Sequence, residues 1–261
     1  MVKQTLESFL DFSSQLTRLL EARDEVIGLV FVGSSAATHR VDEWSDHDFF
    51  VVTKPGVAES FRKDLSWLPD SGQIVLSPRE TAHGLKVLYA NGHVLEFAVF
   101  EDSELELASA NDYAVALDRA DITSRMAAIA ARSGPTTFDF DAEFELLLIQ
   151  YLIAVGRARR GELLTAGDTI RGACVNHFVG LIRYSVKPLP GSQSATDNLN
   201  RLRRFELQYP EIGERLAEIL SMPAEASAKT QLGYLLQVLA ECLSSDQLEQ
   251  AKSLSKLLDW D

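Results

Sequence analysis

Two aspartates in the first fifth of the chain have the types and spacing of a metal site. Asp46 and Asp48 are separated by one residue and directly precede the apolar run 49–52. Side chains two positions apart on a strand project to the same face, so both carboxylates point one way while His47 points the other. Two carboxylates this close repel each other unless a cation lies between them, and magnesium prefers such oxygen ligands.

A glycine–serine turn lies about ten residues earlier. Gly33, Ser34 and Ser35 follow the nearly continuous apolar run VIGLVFV at 26–32, which is typical of a strand covered on both faces. Glycine permits a tight turn and a close approach of the backbone to a ligand. We expect Ser34 and Ser35 to cap a following helix whose first amides point at an anion, for which a phosphate is the natural candidate.

A third carboxylate is Glu96, the one acidic residue of the run HVLEFAVF at 93–100. Burying an ionised carboxylate without a partner is costly. Two interpretations therefore stay open: the strand lies at a sheet edge where Glu96 meets water, or Glu96 faces a metal site. In the second case Glu96 joins the two aspartates.

This set of residues resembles the signature of the nucleotidyltransferase superfamily typified by DNA polymerase beta. The resemblance lies in Gly33–Ser34, Asp46-x-Asp48 and the later strand carboxylate Glu96. The chain length and helical second half are similar to those of antibiotic nucleotidyltransferases, which adenylylate aminoglycosides or lincosamides. The loop after Gly33–Ser34 departs from the pattern, because it lacks the second glycine of many relatives.

The resemblance implies a reaction and roles for these residues. It implies transfer of a nucleoside monophosphate, AMP by first expectation, from ATP or another triphosphate to a hydroxyl, with release of pyrophosphate. Two Mg²⁺ ions would be held by Asp46, Asp48 and Glu96, and Glu96 would alternatively or additionally act as general base. Gly33, Ser34 and Ser35 would bind the nucleotide.

One helix end adds a weaker likeness to the antibiotic enzymes. The segment 144–162 is predicted to be an aromatic-rich helix that ends in Arg160-Gly161-Glu162-Leu163, as in some of those enzymes. Arg157, Arg159 and Arg160 are candidates for phosphate contacts, but the pattern favours a solvated basic helix end that complements the helix dipole.

The hydrophobic pattern predicts the helices and strands that carry these residues. A first helix is predicted over 4–22, followed by strands at 26–32, 49–52, 73–76, 85–90, 93–100 and 113–117, with a hairpin signal at Asn91–Gly92. Beyond Gly134–Pro135 the pattern is helical, with segments near 144–162, 166–184, 196–208, 211–221, 225–243 and 245–258. We therefore expect an α+β protein in which residues 1–135 form a catalytic domain with a mixed sheet flanked by helices, and 136–261 an all-α bundle.

The hydrophobic pattern also predicts which residues of two helices face the core. In the first helix the stripe comprises Leu6, Leu10, Phe12, Leu16, Leu19 and Leu20; in the helix after Pro135 it comprises Phe144, Leu147, Leu148, Tyr151, Leu152 and Val155. Each set lies on one face at a period of 3.6 residues.

Composition limits the partners. The chain carries 38 acidic and 25 basic residues, a net charge of −13, which disfavours a nucleic-acid backbone and attracts a cationic small molecule, although it also serves solubility alone. No run approaches the roughly 18–20 apolar residues of a membrane span, and the N-terminal segment is unlike a signal peptide. We expect a cytoplasmic protein in which Cys174 and Cys242 are reduced core residues.

Several other classes of site lack their motifs. The five histidines have no metal-ligand spacing and no Cys-x-x-Cys occurs, which argues against zinc, and P-loop, Rossmann and hydrolase-elbow motifs are missing from the sequence. Trp44, next to the aspartates, would stack on a base or acceptor, or simply pack.

Two alternative functions stay open: AMP transfer to a protein hydroxyl, as in toxin-neutralising enzymes, and a catalytically silent nucleotide-binding module.

Overall fold

The computed structural model describes residues 5–132, 137–192, 196–197 and 199–260. The chain divides into two compact units, residues 1–134 and 135–261. The first contains a mixed sheet with helices and the second is helical, which confirms the α+β fold class. Among the described residues, no helix combines the length and the apolar character that crossing a bilayer requires.

The first unit alternates helices and strands. In chain order these are α1 (Leu6–Glu21), β1 (Val26–Val32), α2 (Gly33–Ala36), β2 (His47–Thr53), α3 (Ala58–Lys63), β3 (Ile74–Leu76), β4 (Gly84–Tyr89), β5 (Val94–Glu101), β6 (Tyr113–Asp118) and α4 (Ile122–Arg132). All six predicted strands are present, with bounds that differ from the predicted ones by at most two residues. The short helix α3 and the helix α4 were not predicted.

The strands of the described residues form one six-stranded sheet in the order β3-β4-β5-β2-β1-β6. Strands β2 and β5 are parallel, and the other neighbouring pairs are antiparallel. Strand β1 is interior, and its residues from Val26 to Phe31 are buried. Two-sided burial explains why this strand is continuously apolar rather than alternating.

Helices cover both faces of the sheet. On one face Phe12, Leu16 and Leu20 of α1 pack in a cluster with Leu29 and Phe49. On the other face Ile122, Met126 and Ile129 of α4 pack with Ile27, Val30 and Val52. Alternate residues of β2 therefore belong to different cores, and a one-residue slip of this strand would exchange them.

The buried stripe of α1 differs from the predicted one. The helix begins with a capping box between Thr5 and Ser8 and buries Phe9, Phe12, Leu16 and Leu20. The predicted stripe members Leu6, Leu10 and Leu19 are exposed, because they flank this narrower stripe. Phe9 was missed.

The hairpin between β4 and β5 is confirmed, with a loop of three residues. Tyr89 N donates to His93 O at 2.9 Å, which leaves Ala90, Asn91 and Gly92 as the loop, and Gly92 adopts φ +93°. A glycine in the left-handed region at the end of a three-residue loop is a common hairpin geometry. The resulting register places Lys86 opposite Glu96.

The second unit is built from helices. These are α5 (Phe140–Arg159), α6 (Leu163–Thr169), α7 (Val175–Ser185), α8 (Phe205–Gln208), α9 (Pro210–Leu220), α10 (Ala224–Val238) and α11 (Ser245–Leu257), with a π-helical turn at Ile170–Cys174 between α6 and α7. Its core is centred on α5, which buries Phe144, Leu147, Leu148, Tyr151, Ala154 and Val155.

Three predictions for the second unit are wrong. Leu152 is 41% exposed, whereas Ala154 takes a buried position on α5. The helix predicted over 196–208 is limited in the described residues to Phe205–Gln208. Of the two cysteines expected in the core, Cys174 is buried but Cys242 is exposed.

A pair of histidines lies under α1 on the face of the sheet opposite to the aspartates. His47 is fully buried and its ring stacks on Phe9 at a centroid distance of 3.6 Å. Its Nδ1 lies 2.7 Å from His93 Nε2, and its Nε2 lies 3.2 Å from the carbonyl oxygen of Phe9 and 3.0 Å from Ser13 Oγ. Burial lowers the pKa of His47 to about 3 and that of His93 to about 4, because a charged imidazole would lose its hydration there.

These depressed pKa values predict a stability that falls in mild acid. The unfolded chain binds protons near pH 6.5 while the folded pair stays neutral, so the pair's contribution is complete above pH 6.5 and is lost as the pH falls towards 4. Each histidine adds a slope of up to about 1.4 kcal/mol per pH unit in this window. Urea denaturation of wild type and His93→Gln between pH 7.5 and 5.5 should give a shallower decline for the variant. Equal slopes would contradict the neutral buried pair.

Candidate active site

The structure brings Asp46, Asp48 and Glu96 together. Each offers a carboxylate oxygen, and these oxygens all lie within 4.8 Å of one another. Asp46 directly precedes β2, while Asp48 on β2 is the register partner of Glu96 on the parallel neighbour β5. The three residues are half-buried, so the cluster is accessible to a ligand.

The cluster lies at the uncovered end of one sheet face. Further along the same face Val52 and Phe100 are buried in the core under α4, whereas the side chain of Glu96 is 41% exposed. Strand β5 is interior, between β4 and β2, so the edge-strand interpretation of Glu96 is wrong.

Gly33 brings the end of β1 against Asp48. The glycine adopts φ +58°, and a Cβ at this position would lie 3.0 Å from Asp48 Oδ2. A side chain would therefore meet both backbone strain and a carboxylate. Gly33 N donates to Asp112 O at 3.1 Å, which fixes the turn to the segment before β6.

The two serines have different surroundings, and neither caps a helix as expected. Both lie inside α2, a single turn that begins at Gly33 and whose N-cap, Val32, makes no side-chain hydrogen bond. Ser35 is 6% exposed, and its Oγ accepts a hydrogen bond from Asp48 N at 2.9 Å. Ser34 is half-buried. Ser35 therefore supports the aspartate strand, whereas Ser34 is the more accessible hydroxyl of the pair.

Arg40 secures the same turn and was not singled out from the sequence. Its guanidinium donates to Gly33 O at 3.1 Å and forms an ion pair with Asp112 at 2.8 Å. A lone arginine in a polar loop gives no sequence signal for this role, because its partners come from two distant segments.

Lys86 is the second residue that sequence reasoning missed. Its Nζ lies 2.9 Å from Glu96 Oε1 and 3.2 Å from Glu80 Oε1. Hydrogen bonds to these carboxylates raise the pKa of Lys86 above its ordinary value, with Glu96 as the larger cause. The signal was available, since Lys86 is the only charged residue in the run LKVLYA, as Glu96 is in its own.

A polar turn leads the chain into the aspartates. Asp42 Oδ1 accepts a hydrogen bond from Trp44 N at 2.8 Å, and Ser45 N donates to Asp42 O at 3.2 Å. The turn leaves Trp44 76% exposed, which favours availability to a ligand over core packing.

The three arginines near the end of α5 have partners within the second unit. Arg159 forms an ion pair with Glu225 at 2.6 Å and Arg160 forms one with Glu162 at 3.0 Å. Arg157 donates to Thr169 Oγ1 at 3.0 Å. These contacts favour the interpretation of the three arginines as a solvated basic helix end over phosphate contacts.

The site therefore combines three parts: a carboxylate trio that could hold a divalent cation, a glycine turn against it and an accessible hydroxyl. Solved structures that match the chain include an aminoglycoside 6-adenyltransferase from Bacillus subtilis, at 16% identity over 98% of both chains and a TM-score of 0.41. Another is a nucleotidyltransferase-like protein from Exiguobacterium sibiricum, at 14% identity over 90% of this chain and 75% of that one, with a TM-score of 0.34. A third is a STING-associated c-di-GMP synthase from Capnocytophaga granulosa, at 12% identity over 97% and 79%, with a TM-score of 0.29.

No protein-family model and no curated protein matches the chain.

The hydrogen bond from Asp48 N to Ser35 predicts unequal effects of two neighbouring substitutions. Ser35→Ala removes the acceptor of a partly buried N–H and should lower the free energy of unfolding by about 1–2 kcal/mol. Ser34→Ala is the matched control and should change it by less than about 0.5 kcal/mol. Urea denaturation measures both, and equal losses would contradict the support role of Ser35.

Proposed function

We propose that this protein is a magnesium-dependent nucleotidyltransferase that transfers a nucleoside monophosphate from a nucleoside triphosphate to a hydroxyl of a small cationic molecule. The observation that carries the proposal is the convergence of Asp46, Asp48 and Glu96 within 4.8 Å on one accessible face. In a catalytically silent module we would expect one of these carboxylates to be lost, and all three are present.

The donor set fits magnesium. All three side chains supply carboxylate oxygens, and no histidine or thiol belongs to the trio, which suits a hard cation. Asp46 and Asp48 would hold the cations, with Glu96 completing the set. When bound, magnesium neutralises triphosphate charge and makes the acceptor hydroxyl more acidic.

The chain's own groups then have separate tasks in the proposed reaction. The acceptor oxygen forms a bond to the α-phosphorus, the bond to pyrophosphate breaks, and the hydroxyl proton goes to a base. Glu96 is the candidate base, because its half-exposed carboxylate adjoins both aspartates. Gly33 and Ser34 are candidates for contacting the triphosphate, and Ser35 contributes by holding the Asp48 backbone.

The acceptor class follows from charge. The site is lined by carboxylates, and the protein carries a net charge of −13. Such a field favours a cationic acceptor such as an amino sugar and disfavours a polyanion. AMP is the first expectation for the transferred group, and an aminoglycoside or lincosamide antibiotic is the first class of acceptor to test.

A pyrophosphate assay with Asp48→Asn tests the proposal. Wild type with magnesium, one of the four ribonucleoside triphosphates and a cationic antibiotic should release pyrophosphate only when the acceptor is present. Asp48→Asn keeps the shape but removes a ligand charge, so we expect a loss of at least about a hundredfold in rate. Asp11→Asn, an exposed substitution on α1, is the charge-matched control and should keep full activity.

Three experimental outcomes would contradict or alter the proposed function. Release that is equal in wild type and Asp48→Asn would show that another site does the chemistry. Release with a protein acceptor but with no antibiotic would favour AMP transfer to a protein hydroxyl. Failure of magnesium triphosphate to bind at all would contradict the proposed site.

A further inference from the structure

Three charged side chains occupy facing positions on three adjacent strands. Lys86 on β4 is the register partner of Glu96 on β5, which is in turn the register partner of Asp48 on β2. Facing residues on neighbouring strands project to the same side of a sheet. The carboxylate trio therefore has an ammonium group directly beside it, on the side away from the aspartates.

The ammonium is shared between two carboxylates. Lys86 Nζ lies 2.9 Å from Glu96 and 3.2 Å from Glu80, and Glu80 does not belong to the trio. The backbone of Glu80 is tied to the start of β4, since its N donates to Gly84 O at 2.9 Å. Lys86 thus has a second anionic partner that stays in place when Glu96 changes partners.

A divalent cation at the trio and the ammonium of Lys86 require the same carboxylate. The carboxylate of Glu96 cannot bind the divalent cation and the Lys86 ammonium equally strongly, because two cations on one carboxylate repel each other. Because the Lys86 side chain is 41% exposed and flexible, it can shift towards Glu80 without backbone movement.

We propose that Lys86 is a positioning residue that holds Glu96 in the cation-free protein and competes with the incoming divalent cation for it, with Glu80 as the alternative partner. This inference rests on the proposed function, because it takes the trio as the cation site. Lys86 thereby sets how tightly the site holds its cation, and the trio stays ordered when the cation is absent.

Mn²⁺ alone, without nucleotide or acceptor, is the probe. Isothermal titration or the electron paramagnetic resonance signal of free Mn²⁺ gives its dissociation constant. Lys86→Met should bind Mn²⁺ about three- to tenfold more tightly than wild type, because the competing charge is gone while the pair is partly screened by solvent. Lys86→Gln should give the same direction, and Lys86→Arg should return the affinity to within about twofold of wild type.

Two further variants separate competition from a general change of charge. Lys63→Met removes the same charge from the exposed end of α3, where Lys63 pairs with Glu59, and should leave Mn²⁺ affinity unchanged. Glu80→Gln should weaken Mn²⁺ binding in wild type but have no effect in the Lys86→Met background, because Glu80 acts through the lysine.

The outcomes distinguish this inference from the proposed function. Unchanged or weaker Mn²⁺ binding by Lys86→Met, with binding still abolished by Asp48→Asn, would overturn the role of Lys86 and leave the cation site standing. Mn²⁺ binding that Asp48→Asn does not weaken would overturn both. Weaker triphosphate binding by Lys86→Met without tighter Mn²⁺ binding would make Lys86 a phosphate contact instead.

Discussion

Electrostatic repulsion among Asp46, Asp48 and Glu96 is the constraint on which the first unit depends. Three carboxylates whose oxygens lie within 4.8 Å of one another disfavour the folded state unless the backbone fixes them and a cation offsets their charge. The interior pair β2–β5 supplies the fixed backbone, because both strands have neighbours on each side. Lys86 supplies one positive charge directly beside Glu96.

Strand β2, which carries Asp48, is held in place by contacts on both of its faces. On one face His47, which lies between the two aspartates in sequence, is buried beneath α1. There it contacts Phe9 and His93, which fixes the position of the strand. At the other side Ser35 accepts from the Asp48 backbone, and Gly33 leaves no side chain where one would press on Asp48. A rigid support of this kind is what a site needs when its ligands must keep their positions as a substrate binds and leaves.

Most of this arrangement could be predicted from the sequence, but some parts were easier to predict than others. The strands and the trio were predictable because apolar periodicity and isolated acidic residues are local signals. Lys86 was harder to place, because a strict two-residue turn at Asn91–Gly92 would put it opposite Phe97 and on the wrong face, whereas the three-residue loop puts it opposite Glu96. Arg40 and the dual role of the serines depend on contacts between distant segments, and the exposed Leu6, Leu10 and Leu19 show that a hydrophobic stripe overestimates burial where the covering surface is narrow.

The number of Mn²⁺ ions that the protein binds decides whether the carboxylate trio is a metal site. Mn²⁺ binding would be measured by electron paramagnetic resonance with a non-hydrolysable triphosphate analogue, for wild type and for Asp48→Asn. Wild type should bind two Mn²⁺ ions per chain when the analogue is bound, and the variant should lose this binding. Equal Mn²⁺ uptake by the two proteins would contradict the assignment of the carboxylate trio as the metal and nucleotide site.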